Sequence, residues 1–279
     1  MTGRGGEELR LGDFLRLRRA RVAPADVGLP TGPRRRVGGL RREELAQLAG
    51  ISVEYYQRLE QGRSGGPSPE VVDALARALG LDEVERAHLR ALAAPARGRR
   101  APAATRPDAV RPELARLLRM LGPVPALVLT DRFDLLAANS LAECLFGRPT
   151  NLARYLFLDP SSRNRYPEWD EVAASTADGL RLTAGRYPSD RELATLIADL
   201  SAASPAFRVH WGRGDVTLRT SGRKVVRHPE VGTLTLHYEN FVPVGEPRQR
   251  LLTLTPAPGS ADEAALQLLA AAARRPDAQ

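Results

Sequence analysis

Four side chains between residues 53 and 58 have the types and spacing needed to read the edges of DNA bases. They are Val53, Glu54, Gln57 and Arg58, which share the outward face of a predicted helix. The guanidinium of Arg58 can donate two hydrogen bonds to guanine O6 and N7, and the carboxylate of Glu54 can accept one from cytosine N4. Glu54 is also suited to the positive end of the helix dipole, so its role stays open. The segment predicts a helix that enters a major groove.

Two short helices joined by a tight turn would position these side chains. The spacing predicts helices over residues 41–49 and 53–61. Gly50 can adopt the left-handed backbone of the turn, and the hydroxyl of Ser52 can cap the second helix. Apolar residues with the spacing to fix the angle between the two helices are Leu45, Ala49, Ile51, Tyr56 and Leu59.

This stretch resembles the Xre-type helix-turn-helix pattern. The match runs from Glu44-Leu45-Ala46-Gln47-Leu48-Ala49-Gly50 through Ser52 to Glu60 and Gly62. The resemblance implies that Arg41, Arg42 and Arg63 lie near phosphates, which position a reader without selecting sequence. Ser52 belongs to the same expected DNA-binding set. Arg34, Arg35 and Arg36 are a further basic run that either grips the backbone or is simply solvated.

The charge distribution favours an anionic partner for the first hundred residues. The net charge is +8, and residues 1–100 contain 19 Arg against 13 acidic residues. No apolar run is long enough for a membrane helix, and the N-terminus lacks the apolar stretch of a secretory signal. We therefore expect a cytoplasmic, nucleoid-associated protein that contacts no membrane.

Catalytic and metal-binding chemistry finds little support in the residue pattern. Cys144 is the only cysteine, and its apolar surroundings predict a core position. The four histidines do not show the spacing of a helical zinc site, and no phosphate-binding glycine loop or nucleophile elbow is present. We expect no enzyme activity, no metal and no cofactor other than a bound apolar ligand.

The chain is predicted to have an α+β two-domain fold. Residues 1–93 form an all-α domain of five helices, and the small, basic, proline-rich residues 94–110 form a linker. The first helix contains Leu9, Leu11, Phe14, Leu15 and Leu17. The fourth begins at Ser68-Pro69 and ends at Gly80, and the fifth covers 83–93 with Asp82 as its cap.

Residues 111–279 are predicted to form an α/β domain with an antiparallel sheet. A helix over 112–121 leads to a hairpin of 126–130 and 133–137, after which Asn139 can cap a helix that ends at Phe146. This order resembles the opening of a PAS-type sensor domain. Further predicted elements are helices over 168–184 and 189–203, strands over 216–220, 224–228, 233–240 and 250–255, and a helix from Asp262.

The chain resembles, nearly end to end, the MmyB-like regulators of actinobacteria. In the first half the resemblance lies in residues 15–21, 27–30 and 35–45, where Gly38 stands in place of a more usual proline. In the second half it lies in Ala137-Ala138-Asn139, residues 156–160, Trp169, Ser204-Pro205-Ala206-Phe207, Trp211 and residues 228–232.

The resemblance implies a homodimer on a palindromic operator and a PAS-like second domain that binds a fatty-acid-like molecule. Apolar candidates for the acyl chain are Leu127, Leu129, Leu136, Phe146 and Phe157. Candidates for the polar end are Asn139, Arg163, Arg165, Trp169, His228 and Tyr238. An arginine would suit a carboxylate because its planar fork can bind both oxygens.

Purely structural roles for these residues, and other roles for the second domain, stay open at this point. The apolar candidates could simply fill a packed core, Asn139 could be a helix cap, and His228 could close a strand. The second domain could serve only dimerisation or protein docking, or it could be an enzyme for a small apolar substrate. A packed interior would favour docking, whereas paired titratable groups with perturbed pKa values would favour an enzyme.

Overall fold

The structure is a computed structural model. It describes residues 11–30, 38–64, 66–94, 109–217, 220–244 and 248–273. Leu9, Arg34, Arg35, Arg36 and most of the predicted linker lie outside these ranges. The internal contacts divide the described residues into two compact units. Unit 1 contains the described residues up to 94 with 181–198 and 209–217, and unit 2 contains 109–180, 199–208 and the described residues from 220 onward.

The N-terminal part of unit 1 is helical, as predicted. Its elements are α1 (Leu11–Arg21), a 3-10 turn (Pro24–Val27), α2 (Arg42–Ala49), α3 (Val53–Glu60), α4 (Pro69–Ala78) and α5 (Glu83–Ala93). The two helices of the helix-turn-helix are joined by Gly50, whose φ of 67° is left-handed. Ser52 then caps α3, because its hydroxyl accepts a hydrogen bond from the Tyr55 N–H at 3.1 Å. These short-range signals explain why the predicted bounds of α2 and α3 agree with the structure to within one residue.

The hydrophobic core of unit 1 also contains a residue from far along the chain. Phe14, Leu45, Tyr56 and Leu89 pack in one cluster with Val216. The predicted strand over 216–220 is therefore wrong where the structure describes it, since residues 216, 217 and 220 are not in a strand. The Val216 side chain is buried among helices, which leaves its backbone without a neighbouring strand.

Unit 2 is built on a five-stranded antiparallel sheet. The strands are β1 (Ala126–Thr130), β2 (Leu135–Ala138), β3 (Ser221–His228), β4 (Gly232–Phe241) and β5 (Gln249–Thr255). Their order is β2-β1-β5-β4-β3, so β5 is central. The predicted hairpin and the last three predicted strands are confirmed, as is the α+β architecture with an antiparallel sheet.

Helices α6 to α13 complete the described part of the chain after the N-terminal helices. They are α6 (Pro112–Met120), α7 (Ser140–Phe146), α8 (Leu152–Leu158), α9 (Ser161–Arg165), α10 (Trp169–Arg186), α11 (Arg191–Ala203), α12 (Pro205–Arg213) and α13 (Ala261–Ala273). Helices α8, α9 and α12 were not predicted. The prediction of a core position for Cys144 is wrong, because Cys144 is exposed. Leu141, Ala142, Leu145 and Phe146 form the buried face of α7, and Cys144 lies on the other face.

The register of the sheet separates its two faces. Val128 pairs with Leu251, and both pack against Leu114 and Leu118 of α6. Their neighbours project to the opposite face because side chains alternate along a strand. Residues on this opposite face, called the inner face below, are Leu127, Leu129, Lys224, Val226, His228, Leu234, Leu236, Tyr238, Asn240, Arg250, Leu252 and Leu254.

Candidate functional site

The exposed surface of α3 presents the side chains predicted to read bases. Glu54, Gln57 and Arg58 are exposed, as required for insertion into a groove. Val53 differs from the prediction, because it is only partly exposed and packs against the core of unit 1. The guanidinium of Arg58 lies 5.8 Å from the ring centroid of Tyr55, whose own side chain packs against that core. Tyr55 therefore supports Arg58 from the protein side.

A buried carboxylate holds α3 to the helices before it. Glu60, whose side chain is 3 % exposed, accepts hydrogen bonds from Arg19 Nε at 2.8 Å and Arg42 Nε at 2.7 Å. It also accepts one from the Tyr56 hydroxyl at 2.8 Å. Three helices, α1, α2 and α3, are thereby joined at one group. The pattern match included Glu60, but the sequence did not indicate its partners.

The charge of Glu60 is stabilised in this cluster. Burial alone would raise the pKa of the carboxyl, but the hydrogen bonds from Arg19, Arg42 and Tyr56 outweigh it and the pKa is lowered. The same burial, together with the negative charge of Glu60, raises the pKa of the Tyr56 hydroxyl. Glu60 is therefore ionised at neutral pH, and each of its bonds to an arginine is charge-assisted.

The arginines expected near phosphates are placed in different ways. Arg41 and Arg63 are exposed. Arg42 uses its Nε on Glu60, while 47 % of its side chain is exposed, which leaves its terminal nitrogens accessible. Arg34, Arg35 and Arg36 lie outside the described residues. The structure thus brings Arg41 and Arg42 together at the start of α2, and Arg63 follows α3.

Asn139 in unit 2 acts as a helix cap. Its Oδ1 accepts hydrogen bonds from the N–H groups of Ala142 at 3.0 Å and Ala126 at 3.2 Å. Its Nδ2 donates to the carbonyls of Leu121 at 2.9 Å and Val124 at 2.7 Å. The side-chain amide has two donors and two acceptor lone pairs, all of which are used here. Asn139 therefore has the structural role of a helix cap, one of the two roles considered for it.

His228 is similarly engaged within the protein. Its Nδ1 accepts a hydrogen bond from the Glu230 N–H at 3.3 Å, and its Nε2 lies 3.2 Å from the Cys144 carbonyl oxygen. This pattern assigns the proton to Nε2, which then donates to that carbonyl. Although His228 is on the inner face, it links β3 to α7 and both ring nitrogens are occupied.

The two arginines first considered for a carboxylate have other contacts. The exposed Arg163 lies with its guanidinium 3.9 Å from the ring centroid of Trp169. Arg165 donates to the Leu145 carbonyl through Nη1 and to the Tyr155 hydroxyl through Nε at 3.2 Å. Neither arginine projects from the sheet, since both belong to α9.

Aromatic side chains collect beside the helices of unit 2. Phe157 makes edge-to-face contacts with Trp169 at 5.8 Å and Phe207 at 5.0 Å between ring centroids. The Trp169 indole N–H donates to the Leu156 carbonyl at 3.2 Å and to the Ser162 hydroxyl at 3.1 Å. Phe207 was not predicted to contact the ligand, although it belongs to the Ser204-Pro205-Ala206-Phe207 motif of the family resemblance.

The predicted candidate Tyr238 lies on the inner face beside Lys224, and neither Lys224 nor the nearby Tyr166 was predicted to belong to the site. The Lys224 ammonium lies 5.5 Å from the ring centroid of Tyr238 and 5.8 Å from that of Tyr166. Leu127 and Leu129 are buried on the same face. Leu136 is not with them, because it packs in the cluster beneath α6. Phe146 is buried on α7.

A helix-turn-helix that exposes the side chains predicted to read bases, followed by an α/β domain with an antiparallel sheet, is the layout of a DNA-binding regulator with a second domain. Residues 10–89 match a family model described as a helix-turn-helix domain. Residues 110–269 match the MmyB-like transcription regulator ligand binding domain. The chain belongs to the family of MmyB-like transcription regulators. It is a DNA-binding transcriptional regulator with a ligand-binding domain.

One further comparison and two features of the described residues complete these findings. A search of curated proteins found no match for the chain. Within the described residues, no helix is both long and apolar enough to cross a membrane. The same part of the chain holds no cluster of three or more His, Cys, Asp or Glu side chains arranged for a metal ion. Both matched families are of the regulator type rather than the catalytic type.

Proposed function

We propose that the protein is a homodimer that binds a palindromic operator sequence-specifically and responds to a fatty-acid-like ligand held in unit 2. The observation that carries the DNA-reading part is the exposed row of Glu54, Gln57 and Arg58 on a helix that Glu60 fixes from beneath. A rigidly held recognition helix loses little conformational entropy when it enters the groove. Arg58 reads guanine in this proposal, and Arg41, Arg42 and Arg63 contact phosphates.

The ligand part of the proposal is supported by the inner face of the sheet. Leu127 and Leu129 are apolar positions on β1, and Leu252 faces them from β5. Tyr238 adds a hydroxyl on the neighbouring strand. A site of this type is largely apolar with few polar groups, which suits an acyl chain. The aromatic cluster of Phe157 and Trp169 and the buried Phe146 are candidates for further contacts.

Ligand binding would act on DNA through a population shift. A ligand that binds one dimer geometry more tightly than another changes the fraction of each geometry. Operator half-sites lie about one helical turn apart for such dimers, so a change in the spacing of two α3 helices alters operator affinity.

Selection from a random DNA pool, followed by binding measurements with the full chain, tests the DNA part. We expect Arg58→Ala to lose preference at one base position and about 1–3 kcal/mol on the selected operator, with little change on random DNA. Arg41→Ala should weaken both DNAs alike and reduce the salt slope by about one. Arg116→Ala in α6 of unit 2 is the matched loss of one charge. Equal losses on both DNAs for Arg58→Ala would refute its role as a base reader.

Native mass spectrometry of the freshly purified chain tests the dimer and the ligand. We expect a dimer with a reproducible extra mass of about a few hundred daltons per subunit, which denaturation releases. A monomer, both free and with operator DNA, would contradict the palindromic mechanism. A dimer without extra mass that also fails to bind added fatty acids would leave unit 2 as an assembly module.

A further inference from the structure

Arg250 lies on the central strand of the sheet and was not predicted to belong to the ligand site. It lies near the start of β5, the central strand, and pairs with Leu129 of β1. Directly opposed residues of an antiparallel pair project to the same face. The Arg250 side chain therefore belongs to the inner face, together with Leu127, Leu129 and Leu252.

The Nε of the Arg250 guanidinium is buried and has no hydrogen-bond partner among the described residues. Burial lowers the pKa of this guanidinium to about 10, while the negative charge of Asp131 acts in the opposite direction. Asp131 is itself ion-paired with Arg248 at 3.1 Å. A guanidinium whose Nε is buried without a hydrogen-bonding partner is costly in the absence of an anion.

One face of the guanidinium rests on an aromatic ring. The Arg250 Cζ lies 4.2 Å from the ring centroid of Phe133. Phe133 has a φ of 67°, and it is the single residue other than glycine with a positive φ in the described chain. A bulky side chain is strained in this conformation, and such strain clusters at ligand sites.

The ring of Phe133 is held on a second side by α10. A Cβ atom at Gly179 would come within 3.1 Å of the ring edge, so the absence of a side chain there lets the ring approach the helix closely. The position of the Phe133 ring beneath the guanidinium therefore depends on two unusual local features, the positive φ of Phe133 and the glycine at position 179 of α10. Stacking on an aromatic ring leaves the hydrogen-bond donors at the edge of the guanidinium available.

We propose that Arg250, oriented by Phe133, binds the carboxylate of a long-chain carboxylic acid whose alkyl chain lies along the inner face. The inference rests on the proposed function, since it names the polar anchor of the same ligand site. It moves that role from Arg163, which is exposed on α9, and from Arg165, which donates to the Leu145 carbonyl. A planar guanidinium can donate two parallel hydrogen bonds to a carboxylate, which adds orientation to affinity.

Binding of lauric acid and its uncharged analogue methyl laurate to the delipidated full chain tests the inference. We expect the wild-type chain to bind the acid about 10- to 100-fold more tightly than the ester. Arg250→Met keeps a long side chain on Phe133 and removes the charge, so it should lower the affinity for the acid to that for the ester. Arg227→Met is the matched control, because Arg227 is exposed on β3 and projects to the opposite face.

Thermal unfolding of the ligand-free chain separates binding from a structural role. Arg250→Met removes a guanidinium whose Nε is buried without a hydrogen-bonding partner, so its Tm should equal or exceed that of the wild type. A lower Tm with equal weakening of acid and ester would show that Arg250 is structural and would overturn the inference. Unchanged preference for the acid in Arg250→Met would overturn it as well.

The failure of the proposed function has a different signature. If the wild-type chain binds neither probe, the fatty-acid proposal fails and the inference fails with it. If both probes bind with equal affinity, the ligand site stands and the carboxylate anchor alone is refuted. If Arg250→Met does not fold, Arg250→Lys replaces it. Lysine retains the charge but loses the planar fork, so we expect about a tenfold loss for the acid.

Discussion

His88 should make unit 1 sensitive to mild acid. This residue of α5 is 3 % exposed and makes an edge-to-face contact with Phe14 at 5.1 Å between ring centroids. Its Nε2 has no hydrogen-bond partner. Burial, together with the positive charges of Arg181 and Arg18, lowers the pKa of the imidazole from 6.5 to about 4. His88 is therefore neutral in the folded chain at neutral pH.

The sign and size of the effect follow from this shift. Between the folded pKa of about 4 and the unfolded value of 6.5, the unfolded chain binds a proton that the folded chain does not. Acidification consequently favours unfolding, by about 2 kcal/mol at pH 5 and about 3 kcal/mol at pH 4. The contribution is present in full only above the unfolded pKa, and it is lost as the pH falls through this window.

Urea unfolding of the full chain at about pH 7.5 and pH 5 measures the effect. Trp211 lies in unit 1 and can report its unfolding in a Trp169→Phe background, since Trp169 belongs to unit 2. His88→Leu has a similar volume and cannot be protonated. We expect it to lose about 2 kcal/mol less stability than its parent between the two pH values. Other titrating groups are common to both chains and cancel in this difference.

The result that refutes this reasoning is specific. Equal losses in the two chains, within about 0.5 kcal/mol, would mean that His88 is hydrated or paired in the folded protein. A larger loss for His88→Leu would mean that the imidazole makes a favourable contact that the substitution removes.

Three substitutions test the packing that positions the two sites. Glu60→Gln should lower the free energy of unfolding by urea by about 3–5 kcal/mol, because it removes a buried charge from its arginine partners. The control Glu54→Gln, at an exposed position, should lower it by less than about 0.5 kcal/mol. Equal effects would refute the role of the Glu60 cluster. Gly39→Ala should lower the Tm, because its Cβ would lie 2.3 Å from a backbone carbonyl oxygen of α1. Gly38→Ala has open space around it and should leave the Tm nearly unchanged, so a similar fall in both would contradict the structure. Asn139→Ala should cost about 2 kcal/mol in unfolding of unit 2, since it leaves buried backbone groups unpaired, and a loss below about 0.5 kcal/mol would show that water replaces them.

The local elements could be read from the sequence because their signals lie within a few residues. Ser52 and Asp82 cap helices at the predicted positions, each by accepting an N–H three residues on. The same signal is present for α12, which was not predicted. Ser204 precedes Pro205, the first residue of the helix, and its hydroxyl accepts a hydrogen bond from the Phe207 N–H. Helix α9 contains only five residues, too few for a periodic pattern. Helix α8 has seven residues and an asparagine cap, Asn151, as α7 has Asn139, so its start could have been predicted.

The site could be read only in part, because burial depends on remote partners. Arg58 is exposed on α3 as helical periodicity indicates, and its neighbours Gln57 and Glu54 are exposed as well. The partners of Glu60 come from three helices, and the sequence contains no signal that would bring Arg19 to it across 41 positions.

The sequence by itself determined the helix-turn-helix, most of the longer elements and the family, since these depend on local propensity and motif spacing. Only the tertiary structure decided that Val216 packs in unit 1 and that Cys144 is exposed. It also decided which polar side chains share the inner face, because strand register pairs Leu129 with Arg250 across more than a hundred residues. Whether an arginine in a strand is solvated or buried against a ring depends on that register and on the helices packed beside it.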